Sequence, residues 1–254
     1  MDTTPGPDES LDRLVGDWHI LQLKRGHRFS TDDLLVAWTA GQAAPRARRL
    51  LDIGAGIGSV GLMTLWQMPA DAHLTMVEVQ PVSHRLARRT VALNGLSERV
   101  TLKSGDLRDP EMVPETRDFE VVTGSPPYIP LGHGVVSPHP QRAGARMELK
   151  GDVFDYCRAA ARALAPDGRF CFCHAGADPR PEQAVEAAGL TLLHRQDVLF
   201  RVGQPPTIAL FCCAWAGERR DLPPLVVRGD DGRWTPTYQQ VRAAVGAIPD
   251  PFRG

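Results

Sequence analysis

Residues 50–58 read LLDIGAGIG. The apolar run predicts a buried strand that closes on an acid, Asp52, and glycines follow at alternate positions, Gly54, Gly56 and Gly58. Glycine reaches backbone conformations closed to other residues, so this spacing lets the chain turn sharply out of the strand. It also leaves bare amides at the positive end of the helix predicted for SVGLMTLWQM, residues 59–68. A strand, a glycine turn and a helix in that order serve tight packing as readily as ligand binding, so the flanking segments must separate the two.

The next apolar run, HLTMVEV at 73–79, predicts a second strand and sets Glu78 about twenty residues beyond the glycine turn, where an acid holds a ribose by its hydroxyls. A dinucleotide fold would satisfy that much. VSHRLARRTVALNG (82–95) reads as a helix closed by glycine, and RVTLKSG (99–105) as a third strand followed by Asp106. An acid at that place is able to accept a hydrogen bond from an adenine amino group. FEVVTG (119–124) is a fourth strand that runs directly into Ser125, Pro126, Pro127 and Tyr128. Prolines lack an amide hydrogen and fix φ, so the strand ends there and the chain is held outward as a stiff shelf.

The alternation continues beyond the segment 129–151. Helices are predicted at 152–164 (DVFDYCRAAARAL) and 181–189 (PEQAVEAAG), and strands at 169–175 (RFCFCHA), 190–198 (LTLLHRQDV) and 207–215 (TIALFCCAW). Strands alternating with helices predict an α/β fold with helices on both faces of the sheet. Only a loop joins the last two strands, so one must run antiparallel. The expectation is a mainly parallel seven-stranded sheet with an antiparallel strand near the C-terminus. Residues 1–30 read as an N-terminal extension containing a short hairpin or extended segment. Residues 31–216 read as the domain, opened by a helix in TDDLLVAWTA, and 217–254 as a tail packed on it.

The chain has 254 residues, 43% apolar and 23% charged, with a formal net charge of -1, so any affinity for nucleic acid must come from a local patch. Lys24, Arg25, His27 and Arg28 in QLKRGHR form such a patch, or a solvated edge. The five cysteines include Cys171, Cys173, Cys212 and Cys213 in apolar runs, which predicts buried thiols in a reducing compartment rather than a zinc site. His133 and His139 lack a suitably spaced third metal ligand. The start, MDTTPGPDESLD, has neither a basic nor an apolar leader pattern, and a cytoplasmic protein with no membrane span is expected.

In this order, DIGAGIG, VEVQ, SGDLRD and SPPY resemble the Rossmann-like class I methyltransferases that modify exocyclic or amide nitrogens. GHRFSTDDLLVA (26–37), the stretch from SPPY to LAPDGR and GQPPTIALF (203–211) are similar to the bacterial tRNA(Val) adenine-N6 methyltransferases, over roughly residues 20 to 214. The resemblance implies S-adenosyl-L-methionine as cofactor and RNA, specifically tRNA, as substrate. It implies that Gly54, Gly56 and Gly58 line the methionine part of the cofactor, Asp52 lies near its amino group, Glu78 holds its ribose and Asp106 sits at its adenine. Ser125, Pro126, Pro127 and Tyr128 would form the target-base shelf, with Lys24, Arg25 and Arg28 toward the RNA backbone. Arg142, Arg146 and Glu148 would order the loop after the shelf.

Ser125 stands where that family usually has asparagine. An adenine amino nitrogen is a poor nucleophile, because its lone pair is delocalised into the ring. A side-chain acceptor at 125 and the Pro126 carbonyl would take both amino hydrogens and free it, while Tyr128 stacks on a flipped base. No metal or general base is required by that scheme. Serine has a shorter arm than asparagine, which leaves protein glutamine-amide methylation, a small-molecule acceptor, or a module without turnover as rival readings.

Overall fold

The computed structural model describes residues 2–130, 132 and 136–247. The chain opens with an antiparallel hairpin of β1 (Glu9–Val15) and β2 (Trp18–Leu23). Next come α1 (Thr31–Ala43), β3 (Arg49–Ile53), α2 (Ser59–Trp66), β4 (His73–Glu78), α3 (Pro81–Leu93), β5 (Val100–Ser104) and β6 (Phe119–Gly124). The remainder holds α4 (Pro140–Arg146), α5 (Val153–Ala163), β7 (Leu164–Ala175), α6 (Arg180–Ala187), β8 (Thr191–Leu199), β9 (Ile208–Ala214), β10 (Leu222–Val226) and α7 (Pro236–Ala244).

Eight strands form the main sheet in the order β10-β8-β9-β7-β6-β3-β4-β5. β3 pairs in parallel with β4 on one side and with β6 on the other. β9 runs antiparallel between β7 and β8 and is buried along its whole length, which delivers the antiparallel strand expected near the C-terminus. The strand beyond the expected seven is β10, which extends the edge in parallel with β8. Its Pro223 and Pro224 donate no ladder hydrogen bonds, as suits an outermost strand.

Alternate residues of β3 serve different faces. Leu50 packs with residues of α1 and α2, and Leu51 and Ile53 pack with residues of α5. The hairpin docks on α3, where the Leu21 N–H donates to the Thr90 hydroxyl and Asn94 bonds both main-chain groups of His19. α7 buries Tyr238 in the same core as the hairpin and α1.

Successive helices start where local chemistry allows. α5 opens on a reciprocal cap, with Asp152 accepting from the Asp155 N–H and returning its own N–H to the Asp155 carboxylate. α4 lies within the segment read from sequence as a loop; Pro140 occupies its first turn, where a missing N–H costs nothing. Among the described residues no helix is long and apolar enough to cross a membrane.

The chain leaves β3 toward β4 and β5 on one side and returns to β6 on the other. This reversal opens a crevice at the carboxyl ends of β3 and β6, the place where open α/β sheets bind ligands.

Candidate active site

Asp52 ends β3 and is 1% exposed. Its Oδ2 accepts the Gly61 N–H at 2.9 Å and its Oδ1 accepts the Thr123 hydroxyl at 2.8 Å. One carboxyl thus ties β3 to α2 and β6, and burial pushes its pKa up to about 7. Gly54 and Gly56 follow with φ of 63° and 58°. A side chain at Gly54 would run into the Tyr156 hydroxyl, whereas the position beside Gly56 is open. Gly58 caps α2 in the left-handed region.

Glu78 closes the turn from the neighbouring strand. Its Oε2 accepts the Gly56 N–H at 2.8 Å and its Oε1 the Gln80 N–H at 2.6 Å, and burial raises its pKa. Asp33, from α1, comes to the same cleft, where burial holds its pKa up at about 6. Asp33, Asp52 and Glu78 have no cationic side chain in salt-bridge contact among the described residues. Three buried carboxyl groups beside a glycine turn suit a ligand carrying positive charge and hydroxyls. S-adenosylmethionine, with an ammonium, a sulfonium and a ribose, has that chemistry.

Asp106 is placed differently from its neighbours. Gly105 and Leu107 line the cleft, while the Asp106 carboxylate is gripped by the Arg108 guanidinium, which holds its pKa below the ordinary value. Turning it toward an adenine requires that pair to open.

The shelf after β6 forms one wall of a second cavity of about 390 Å³, and Ser125 and Pro127 line both spaces. Pro126 and Tyr128 line the second alone. The Ser125 Oγ lies 3.8 Å from the Cys173 Sγ. The Tyr128 hydroxyl lies 2.8 Å from the same sulfur and 3.4 Å from the Asp32 Oδ2. Its ring meets His174 edge-on at 5.1 Å, and burial lowers the His174 pKa to about 4.

The basic residues divide. Arg28 reaches the second cavity but pairs with Asp12 at 3.0 Å and with Ser10; Lys24 donates to the Pro7 carbonyl, and Arg25 is exposed. Arg142 and Arg146 of α4 also line that cavity, and Arg142 donates to the Gly26 carbonyl. The segment carrying them is closed at its base, where the Glu148 N–H donates to the Ile129 carbonyl and the Glu148 carboxylate pairs with Arg180 at 2.8 Å. Among the described residues no group of three or more His, Cys, Asp or Glu could hold a metal; His133 lies outside them.

Four residues around these cavities escaped the sequence reading as site residues: Asp32, Asp33, Tyr156 and Cys173. The acids looked like helix capping, the tyrosine like one apolar position of an amphipathic helix, and the thiol like core. No local pattern marks their convergence.

Residues 32–136 match the family model of the methyltransferase small domain. The chain is 32% identical over 152 residues to the tRNA1(Val) (adenine(37)-N6)-methyltransferase of Aeromonas hydrophila, covering 59% of this chain and 61% of that relative. It is 27% identical over 219 residues to the enzyme of that name from Cronobacter sakazakii, covering 83% and 84% of the two chains. The fold matches the crystal structure of a predicted O-methyltransferase from Agrobacterium tumefaciens with a TM-score of 0.65 at 19% identity, over 87% of this chain and all of that one. The chain thus carries a methyltransferase small domain and resembles the bacterial tRNA1(Val) (adenine(37)-N6)-methyltransferases.

Proposed function

We propose that this protein methylates the N6 amino group of an adenine in tRNA. The observation that carries the reading is the shared wall: Ser125 and Pro127 border both the glycine cleft and the second cavity, so a base in one faces a methyl donor in the other. The names of the relatives supply the acceptor class.

Bound S-adenosylmethionine supplies an electrophilic methyl group. The chain's residues hold and orient. Gly54, Gly56 and Gly58 admit the methionine part close to the main chain, Asp52 keeps the turn anchored near its amino group, and Glu78 accepts from the ribose. Asp106 meets the adenine once released from Arg108. The Pro126 carbonyl and Ser125 hydroxyl take hydrogen bonds from the target amino group, and Tyr128 supports the base. Lys24, Arg25 and Arg28 meet phosphates. Those contacts position an RNA without reading its bases. The tRNA acceptor places the work in the cytoplasm.

The test is transfer of a labelled methyl group to tRNA, total protein or DNA, followed by identification of the modified nucleoside or residue. Label in N6-methyladenosine of tRNA is the expected result. Ser125→Ala should lower turnover while leaving cofactor affinity nearly unchanged, because that bond matters most in the transition state. Label in glutamine side chains instead would transfer the shelf to a protein amide.

A further inference from the structure

Building on the adenine reading, we propose that Asp32 is an acceptor for the target amino group. Its carboxylate shares with the Ser125 hydroxyl the second hydrogen of that group, and so selects a base bearing an amino group rather than a carbonyl at that edge.

Asp32 sits in the first turn of α1, half-buried, and lines the shelf cavity but not the glycine cleft. Its neighbour Asp33 borders both. Along the shelf wall, Ser125, Cys173, Tyr128 and Asp32 form a continuous polar arc, with the Cys173 sulfur touching two hydroxyls and the Tyr128 hydroxyl in reach of the carboxylate. Burial raises the pKa of both the Cys173 thiol and the Tyr128 hydroxyl, so both stay protonated and either can donate. An ionised Asp32 offers acceptors only. Its contact with Tyr128 is the longer of that hydroxyl's two, so the carboxylate is not consumed by it.

With one amino hydrogen on the Pro126 carbonyl and the other shared by the Ser125 hydroxyl and the Asp32 carboxylate, the nitrogen lone pair is turned toward the glycine cleft. As the N–C bond forms, the S–C bond breaks with its electron pair passing to sulfur. The surplus amino proton leaves along the Asp32 hydrogen bond to the carboxylate and then to water. A carbonyl at the same edge would face the carboxylate with lone pair against lone pair.

The charged and titratable groups facing Asp32 are Asp33 on its own helix, His27 and Arg28 from the preceding loop, Tyr128 after β6, Cys173 on β7, and Arg142 and Arg146 on α4 across the cavity. Burial, with Asp33 next, lifts the Asp32 pKa to about 6. Below that pH the protonated acid donates and competes with the amino group.

The full chain, an unmodified tRNA(Val) transcript and labelled S-adenosylmethionine provide the test. Asp32→Asn and Asp32→Ala should each lower kcat roughly 10- to 100-fold, the range for losing a hydrogen bond to a charged group. Calorimetric affinity for S-adenosylhomocysteine should stay unchanged. The wild-type rate should fall as pH drops through about 6, and this limb should vanish in Asp32→Asn. A transcript carrying inosine at the modified position should compete better against Asp32→Asn than against wild type, since an amide also donates. Wild-type kcat in both variants, persistence of the acid limb, or loss of cofactor binding would each overturn the role. If the wild type binds the cofactor but methylates no RNA, the adenine reading itself falls and takes this role with it.

Discussion

Asp52 shows how one side chain serves both architecture and acid–base balance. Its two hydrogen bonds close the crevice, yet they do not offset its desolvation, and the folded pKa of about 7 stands above the ordinary 3.8. A raised carboxyl binds its proton more tightly in the folded state, so stability is full below the unfolded value and declines as pH rises toward the folded one. Asp33 acts in the same direction up to about pH 6. These two groups contribute a decline between roughly pH 4 and 7, at most about 1.4 kcal/mol per pH unit each, which the depressed His174 opposes over the same range. In Asp52→Asn the upper part of this decline should flatten. Urea titrations at stepped pH measure it, and identical slopes in variant and wild type would show that Asp52 is ionised throughout.

Among the elements, the segment between β6 and α5 is held at α4, where Gln141 accepts from the His27 N–H and donates to the Ser83 hydroxyl, and again at its base. The bridge of Ile129 to Met147 and the pair of Glu148 with Arg180 join it to the sheet end. Arg180 also grips Asp178 at 2.6 Å, and Asp178 lies 3.5 Å from His174, whose ring supports Tyr128. Arg180→Ala should cost about 1–3 kcal/mol, the scale of partly buried hydrogen bonds to charged groups. Hydrogen exchange should quicken at the Glu148 amide, and RNA turnover should drop while cofactor affinity holds. Unchanged exchange there would assign the clip to main-chain bonding alone.

For the whole molecule, a net charge of -1 means that long-range attraction to RNA is weak and local cations must carry it. Arg28 is partly neutralised by Asp12, whereas Lys24 and Arg25 are exposed on that edge. A Lys24→Ala, Arg25→Ala, Arg28→Ala variant should bind single-stranded RNA more weakly, with a log–log salt slope shallower by about 0.7 for each phosphate that the variant leaves unneutralised. Cofactor binding should be untouched. An unchanged slope would move the phosphate-binding role to Arg142 and Arg146 across the cavity.

The class of fold and the glycine turn were legible in LLDIGAGIG and in the strand–helix rhythm, because those features are local: positive φ needs glycine, and periodicity needs only neighbours. The shelf was legible for the same reason, since proline stiffens its own stretch of chain. The eighth strand was not, because a short proline-bearing segment such as 222–226 becomes a strand only when a sheet edge is there to pair with it. Nor did any local pattern bring Asp32 to the shelf, whereas the Arg108 that grips Asp106 is only two residues away. Tyr128 meets Asp32 across 96 residues of chain and Cys173 across 45, and Thr123 reaches Asp52 across 71. Side chains so far apart in sequence become neighbours only through packing of α1 and β7 around β6, so the polar lining of the shelf cavity is a property of the tertiary structure.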